Sequence, residues 1–314
     1  MASYLGRRVL LMVPVAFLVS VAVFYLIHLI PGDPARVMLG ESYTPAALAA
    51  LHRKLGLDQP LPIQYARWIG GVVRGNLGQS VQTGQPVTQA IAQRLPATLE
   101  LGATSLIWSI AVAIPLGTLA ATRRGTVVDW AATTLGVAGV TIPSFTTGLM
   151  LILIVAVGLR WLPAGGFVPF PQSPSGNVRD LVLPALTLGT FSAAVNMRFT
   201  RSAMIDVLSQ DYIRTARAKG AGRLRVVGRH ALKNALIPIV TVIGLQVGNV
   251  IQGALVTETI FAWPGIGKLA VDSIFARDYP MIQGIVLVVT FAYMVVNLLV
   301  DVAYAWLDPR ITYS

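Results

Sequence analysis

Apolar residues gather in six long stretches, at positions 9–30, 98–121, 135–159, 181–197, 236–256 and 281–303. Each falls in the range of roughly 17–25 residues that crosses a hydrocarbon core about 30 Å thick as a helix. The pattern predicts an all-α integral membrane protein of about six transmembrane helices. Residues 31–97 are too polar to span, carry Gly and Pro punctuation, and hold a short helical pattern at 45–55. They form a long loop after the first helix. The chain accordingly divides into residues 1–97, a first helix plus this loop, and residues 98–314, a five-helix core. Pro115, Pro143 and Pro184 fall inside the apolar stretches, where neighbouring helices re-satisfy freed backbone groups.

Composition supports lipid as the main solvent, because 55% of the 314 residues are hydrophobic and 12% are charged, against roughly 25% charged in soluble domains. The charges that remain are informative by position. Arg7 and Arg8 precede the first span, Arg123 and Arg124 follow the second, and residues 198–233 hold nine Lys and Arg against Asp206 and Asp211. All three groups share one side of a six-helix bundle, which the positive-inside rule makes the cytoplasm. Both termini then face the cytoplasm, and the long loop at 31–97 is extracytoplasmic. The stretch at 9–30 is longer than a signal-peptide core and lacks a small-residue cleavage site, so it reads as a retained helix.

A net charge of +11 would suggest nucleic acid in a soluble protein, but here charge topology accounts for it. Zero cysteines exclude disulfides, thiol catalysis and Cys-based metal sites. His28, His52 and His230 are scattered, so neither a metal cluster nor a catalytic set is expected. Gly265-Ile266-Gly267-Lys268 has Ala262 and Leu269 where a phosphate-binding loop needs Gly and Ser or Thr. No cofactor site is expected in this chain.

Polar groups inside spans are functional candidates. Gln246, Asn249 and Gln252 recur every three residues, and Asn297 and Asp301 are spaced i, i+4. The first set reads as lining a translocation path, with interhelical hydrogen bonding as the alternative. The second favours hydrogen bonding. Residues 257–268 gather Glu258, Phe261, Trp263, Pro264 and Gly265 in what reads as an apolar loop outside the helices. An external gate, a contact for a binding protein and an interfacial aromatic anchor are the three readings.

The cytoplasmic loop at 206–235 is the most informative segment. Ile205, Leu208, Tyr212 and Ala216 fall at helical spacing, predicting an amphipathic helix that ends at Gly220. Asp211, Tyr212, Arg214, Thr215, Ala216, Ala218, Lys219 and Gly220 combine small residues with basic charge, suited to entering a partner's groove under electrostatic steering.

This segment resembles the coupling loop of ABC importer permeases in their dipeptide, oligopeptide, nickel and glutathione branch. It runs Asp211-Tyr212-Ile213-Arg214-Thr215-Ala216-Arg217-Ala218-Lys219-Gly220, followed by Arg229-His230-Ala231-Leu232-Lys233-Asn234-Ala235-Leu236-Ile237-Pro238. Gly220 matches the motif's glycine, and Arg214-Thr215-Ala216 stands at its Glu-Ala-Ala positions. The blocks His28-Leu29-Ile30-Pro31-Gly32-Asp33-Pro34, Thr257 to Gly267, Arg277-Asp278-Tyr279-Pro280 and Leu307-Asp308-Pro309-Arg310 are similar to the same branch.

The resemblance implies a permease subunit without enzymatic activity in a prokaryotic cytoplasmic membrane. It implies a second, homologous permease subunit, two cytoplasmic ATPase subunits that bind ATP and Mg, and an extracytoplasmic substrate-binding protein. Di- or oligopeptides are the implied substrates, with nickel chelates, glutathione and other small solutes as alternatives. The rival of another class is an ATP-independent secondary transporter or channel, which often shows inverted repeats. No internal repeat is visible.

Overall fold

The computed structural model describes residues 2–29, 34–39 and 44–307. The blocks at 30–33 and 308–310, and the side chains of His28, Asn249 and Gln252, lie outside the described residues. Helices follow in the order α1 (Ala2–Leu29), α2 (Pro34–Leu39), α3 (Pro45–Leu55), α4 (Leu61–Val73), α5 (Val87–Thr122), α6 (Val127–Thr141) and α7 (Ser144–Leu151). A π-helical stretch, Ile152–Gly158, extends α7. Then come α8 (Pro174–Leu208), α9 (Asp211–Ala218), α10 (Arg223–Arg225) with a second π stretch at Val226–Leu232, α11 (Lys233–Ile260), α12 (Ile266–Phe275) and α13 (Tyr279–Leu307). One isolated antiparallel bridge, Gln79 to Pro86, is the β pairing among the described residues.

Among the described residues, four helices are long and apolar enough to cross a membrane: Gly6–Tyr25, Val87–Thr122, Pro174–Leu208 and Tyr279–Val302. Two bent pairs raise the number to six when each is taken as one span, Val127–Thr141 with Ser144–Gly158 and Arg223–Leu236 with Pro238–Gly248. The all-α membrane fold expected from hydropathy is the observed one. The stretch at 135–159 is not one straight helix, however. It turns by 106° between α6 and α7, because Ile142 and Pro143 are extended and proline cannot donate to the ladder across the break. Pro184, by contrast, sits inside the continuous α8, while at Pro238 the start of α11 bends by 50°.

Two compact units divide the chain, residues 1–96 with 265–298, and residues 97–264 with 299–314. In the first, Val87, Ala90, Ile91, Ile266, Met281 and Ile285 form a buried core. The buried Asp278 carboxylate begins α13 by accepting the Met281 N–H at 3.3 Å. It also accepts the Val81 N–H at 3.2 Å and the Ser80 hydroxyl, so the turn before α5 is fastened to the start of α13. On α1 and α4, Phe17, Phe24, Tyr65 and Trp68 meet mainly edge to face, and the Ser20 and Tyr65 hydroxyls are 2.7 Å apart.

The second unit is built around α8. This is the least apolar of the four long spans and the most buried, with 56% of its apolar window inside the protein, against 11% for α1 and 6% for α13. A span facing protein has no need of a lipid-like surface, and small residues let backbones approach. The neighbours of α8 supply them. A Cβ on Gly117 of α5 would stand 2.6 Å from the Met197 carbonyl oxygen, and one on Gly139 of α6 would stand 2.8 Å from the Ala194 Cβ. On α8 itself, a Cβ on Gly189 would stand 2.7 Å from the Ser105 carbonyl oxygen. Buried hydroxyls and amides follow the same seam, with the Asn196 amide donating to Ser109 Oγ at 3.1 Å.

Gly189→Leu is therefore expected to destabilise the protein by at least the roughly 1–3 kcal/mol of an overpacked core. Thermal unfolding in detergent measures this, with Gly228→Ala as the control, since nothing lies within 4 Å of a Cβ at that position.

Candidate coupling site and buried corner

The coupling segment begins where α8 ends. The expected single amphipathic helix is broken: α8 stops at Leu208, and α9 restarts at Asp211 after an extended Gln210. The break rotates the face, so Ile213 rather than Tyr212 is the buried anchor. Ile213 is fully buried with Ala121, Met204, Val226, Ala231, Ala235 and Ile239, while Tyr212 is exposed. The Tyr212 phenol instead accepts a hydrogen bond from the Asn234 amide at 2.9 Å, which also donates to the His230 carbonyl at 2.9 Å. α9 is thus tied through its core side to α5, α8 and α11.

Its C-terminus has the geometry of a Schellman turn. The Ala221 N–H donates to the Ala216 carbonyl at 3.1 Å, and the Gly220 N–H to the Arg217 carbonyl at 2.9 Å, with Gly220 at φ +80°. This is the left-handed C′ position that favours glycine. Nothing lies within 4 Å of a Cβ built on Gly220. The glycine therefore serves the backbone conformation and leaves open space above the turn. Arg214, Thr215, Ala218 and Lys219 are exposed, and Ala216 is half-buried. Asp211 pairs with Arg214 at 3.2 Å on the open surface. A shallow depression of about 370 Å³ beside the turn is lined by Tyr212, Ala216, Lys219, Gly220, Arg225 and His230.

Two features here carry little local sequence signal. Leu224 is 91% exposed between Arg223 and Arg225, an apolar knob on a basic surface. Asp129, buried on α6, receives Arg201 of α8 through two bonds, Nε to Oδ1 at 2.5 Å and Nη2 to Oδ2 at 2.8 Å, and also accepts the Gly125 N–H at 3.0 Å. The signal for this pair was Asp129 as the sole acid between Glu100 and Asp180.

The segment at 257–268 is largely helical rather than a loop. Thr257 to Ile260 complete α11 and Ile266 opens α12, leaving Phe261 to Gly265 as the connection. Its aromatics are buried because the chain closes over them. The Trp263 indole N–H donates to the Ala97 carbonyl at 2.8 Å, and Phe167 meets its ring edge-on with centroids 4.7 Å apart. Glu258 is fully buried and accepts the Thr98 hydroxyl at 2.7 Å. The Gly166 N–H bonds to the Phe261 carbonyl at 3.1 Å, an approach open only because Gly165 lacks a Cβ, which would sit 2.5 Å from that oxygen. Pro264 is half-buried and Gly265 buried. Of the polar set on α11, Gln246 is buried and engaged.

The candidate coupling surface and this corner are distinct places on one unit, with α8 contributing to the core of both: Met204 beside Ile213, and Leu181, Ala185 and Leu188 beside Trp263. Removing one member of a buried ion pair leaves the other unpaired. With the Arg201 side chain 30% exposed, Asp129→Asn is expected to cost about 2 kcal/mol. Unfolding in detergent tests this, and exchanging the two residues should recover part of the loss.

Residues 113–313 match the family described as binding-protein-dependent transport system inner membrane component, and residues 1–102 match its N-terminal counterpart. The chain is 43% identical over 314 residues to a glutathione transport system permease protein of Salmonella paratyphi A, covering all of both chains. It is 44% identical to a probable peptide ABC transporter permease protein of Sinorhizobium fredii over 313 residues, and 43% identical to a dipeptide transport system permease protein of Escherichia coli K12 over 338 residues, again with full coverage of both. The inward-facing MetNI methionine ABC transporter superposes with a TM-score of 0.55 at 16% identity, covering 70% of this chain and 97% of that one, and so shares the fold. Full-length identity to these relatives, together with the matched family, makes the chain a member of the binding-protein-dependent inner-membrane components, the permease subunits of ABC importers.

Proposed function

We propose that this permease subunit carries di- or oligopeptides inward after delivery by an extracytoplasmic substrate-binding protein. It pairs with a second, homologous permease subunit and docks on two cytoplasmic ATPase subunits. ATP and Mg are held by those partners, and the chain itself carries out no chemistry. Both termini and the Gly220 turn face the cytoplasm.

The observation that carries this reading is the construction of the coupling turn. A left-handed Gly220 holds a basic, small-residue surface open, while Ile213 on the other side of the same short helix is locked into the α8 and α11 core. A surface loop that only obeyed charge topology would not need a buried anchor. A load applied at Gly220 or Leu224 passes through Ile213 to the spans. Peptide as the substrate class is supported by the names of the full-length relatives, two of which concern peptides and one the tripeptide glutathione.

At the far end of α8, the Glu258 to Gly265 corner is read as the outer gate. The burial of Phe261 and Trp263 favours a packed hinge over an aromatic patch offered to the binding protein. Gln246, Asn249 and Gln252 on α11 are read as path-lining.

Gly220→Glu is expected to abolish ATP-driven peptide uptake and the co-purification of the ATPase subunits, with membrane insertion unchanged. Gly220→Ala, which adds only a left-handed cost of about 1 kcal/mol, should lower uptake mildly. Leu224→Asp should weaken ATPase association without loss of thermal stability. Peptide uptake by the purified chain in liposomes without ATP would contradict the reading. Competition of uptake by dipeptide, glutathione and nickel chelate separates the substrate classes.

A further inference from the structure

Where the π stretch after α7 ends, the backbone turns at Arg160 with φ +56°. The Leu159 N–H reaches back to Ile154 and the Trp161 N–H to Val155, so Arg160 occupies a helix-ending left-handed position where a glycine would carry no Cβ cost. A strained arginine directly after a π segment marks a place where the side chain has a use.

Arg160 lines an open, shallow cavity of about 430 Å³ with Arg179 and Asp180 of α8, and with Ala156, Leu162 and Pro163. Among the described residues, no hydrogen bond or ion pair engages the side chains of these three charged groups. Their charges therefore remain available to a ligand. Two guanidinium groups and one carboxylate around one space complement a ligand with an anionic oxygen group and a nearby ammonium. The cavity also lies at the end of an apolar wall, since Leu153 and Val157 are exposed along the π stretch and Trp161 is 68% exposed beside Arg160. An exposed tryptophan next to arginine at the end of a span is the composition of a membrane interface.

We propose that this cavity binds the headgroup of an amine-bearing zwitterionic phospholipid of the phosphatidylethanolamine type. The phosphate accepts hydrogen bonds from Arg160 and Arg179, the ammonium donates to Asp180, and the acyl chains follow the wall formed by Leu153 and Val157. On the orientation proposed above, the lipid belongs to the outer leaflet. Phosphatidylcholine offers the same phosphate but no N–H to Asp180, so the site discriminates between the two. A zwitterionic peptide shares part of this chemistry, but nothing in it would use the exposed apolar wall.

The test uses the full-length protein in nanodiscs containing phosphatidylethanolamine, phosphatidylcholine and phosphatidylglycerol in equal parts, with retained lipid counted by native mass spectrometry after detergent extraction. The wild type should retain phosphatidylethanolamine over phosphatidylcholine by about fivefold, the factor expected of one interfacial charge contact. Arg160→Gly keeps the backbone conformation, so its thermal stability should hold or rise while retained lipid falls by about the same factor. Asp180→Asn should equalise the two lipids. Equal retention by the wild type, preference for phosphatidylglycerol, an unchanged profile in both variants, or displacement of the lipid by a soluble dipeptide would each overturn the proposal.

Discussion

Helix α8 lies within backbone contact of its neighbours at positions where a methyl group would collide. Gly117 and Gly139 on two neighbouring helices, and Gly189 on α8 itself, permit approaches that a Cβ would bring under 3 Å. Between lipid-solvated helices there is little hydrophobic drive, so close van der Waals packing and shared hydrogen bonds carry the association. These contacts explain why the least apolar span is the interior one. They also explain why polar residues such as Asn196 and Ser109 can lie in the bundle, where they find each other instead of lipid.

From that packing follows the mechanical character of the larger unit. α8 enters the core around Trp263 through Leu181, Ala185 and Leu188, and the core around Ile213 through Met204. Arg201 and Asp129 clamp α6 to α8 between the two. Cores packed to native density transmit displacement rather than absorbing it. The Gly220 turn and the corner at Glu258 and Trp263 are thereby joined through the packing of one helix. The 106° turn between α6 and α7 interrupts its neighbours, while α8 runs unbroken from Pro174 to Leu208.

Hydropathy was sufficient for the all-α membrane class and for the placing of its apolar stretches, because lipid solvation acts on every residue of a span and leaves a long, averaged signal. The Gly220 turn was legible too, since helix termination with a left-handed residue is a local matter. What escaped depends on distance along the chain. The spacing of Ile205, Leu208, Tyr212 and Ala216 suggested one continuous helix, but an extended Gln210 rotates α9 and makes Ile213 the anchor. The aromatics near Trp263 read as a loop because their partners, Ala97 and Phe167, lie far away in sequence. The pairing of Asp129 with Arg201 spans 72 residues, beyond the reach of any periodicity.

The absence of cysteine from the natural chain makes paired spin labels straightforward to place, and one distance addresses the claim that α8 joins its two ends as a rigid strut. Labels at the exposed positions Val178 and Lys219 report on the N-terminal part of α8 and the Gly220 turn within the assembled transporter. The account predicts the same distance distribution in the nucleotide-free and ATP-trapped states, while the separation between Lys219 and the proposed second permease subunit changes. A distribution between Val178 and Lys219 that shifts or broadens on ATP trapping would contradict it.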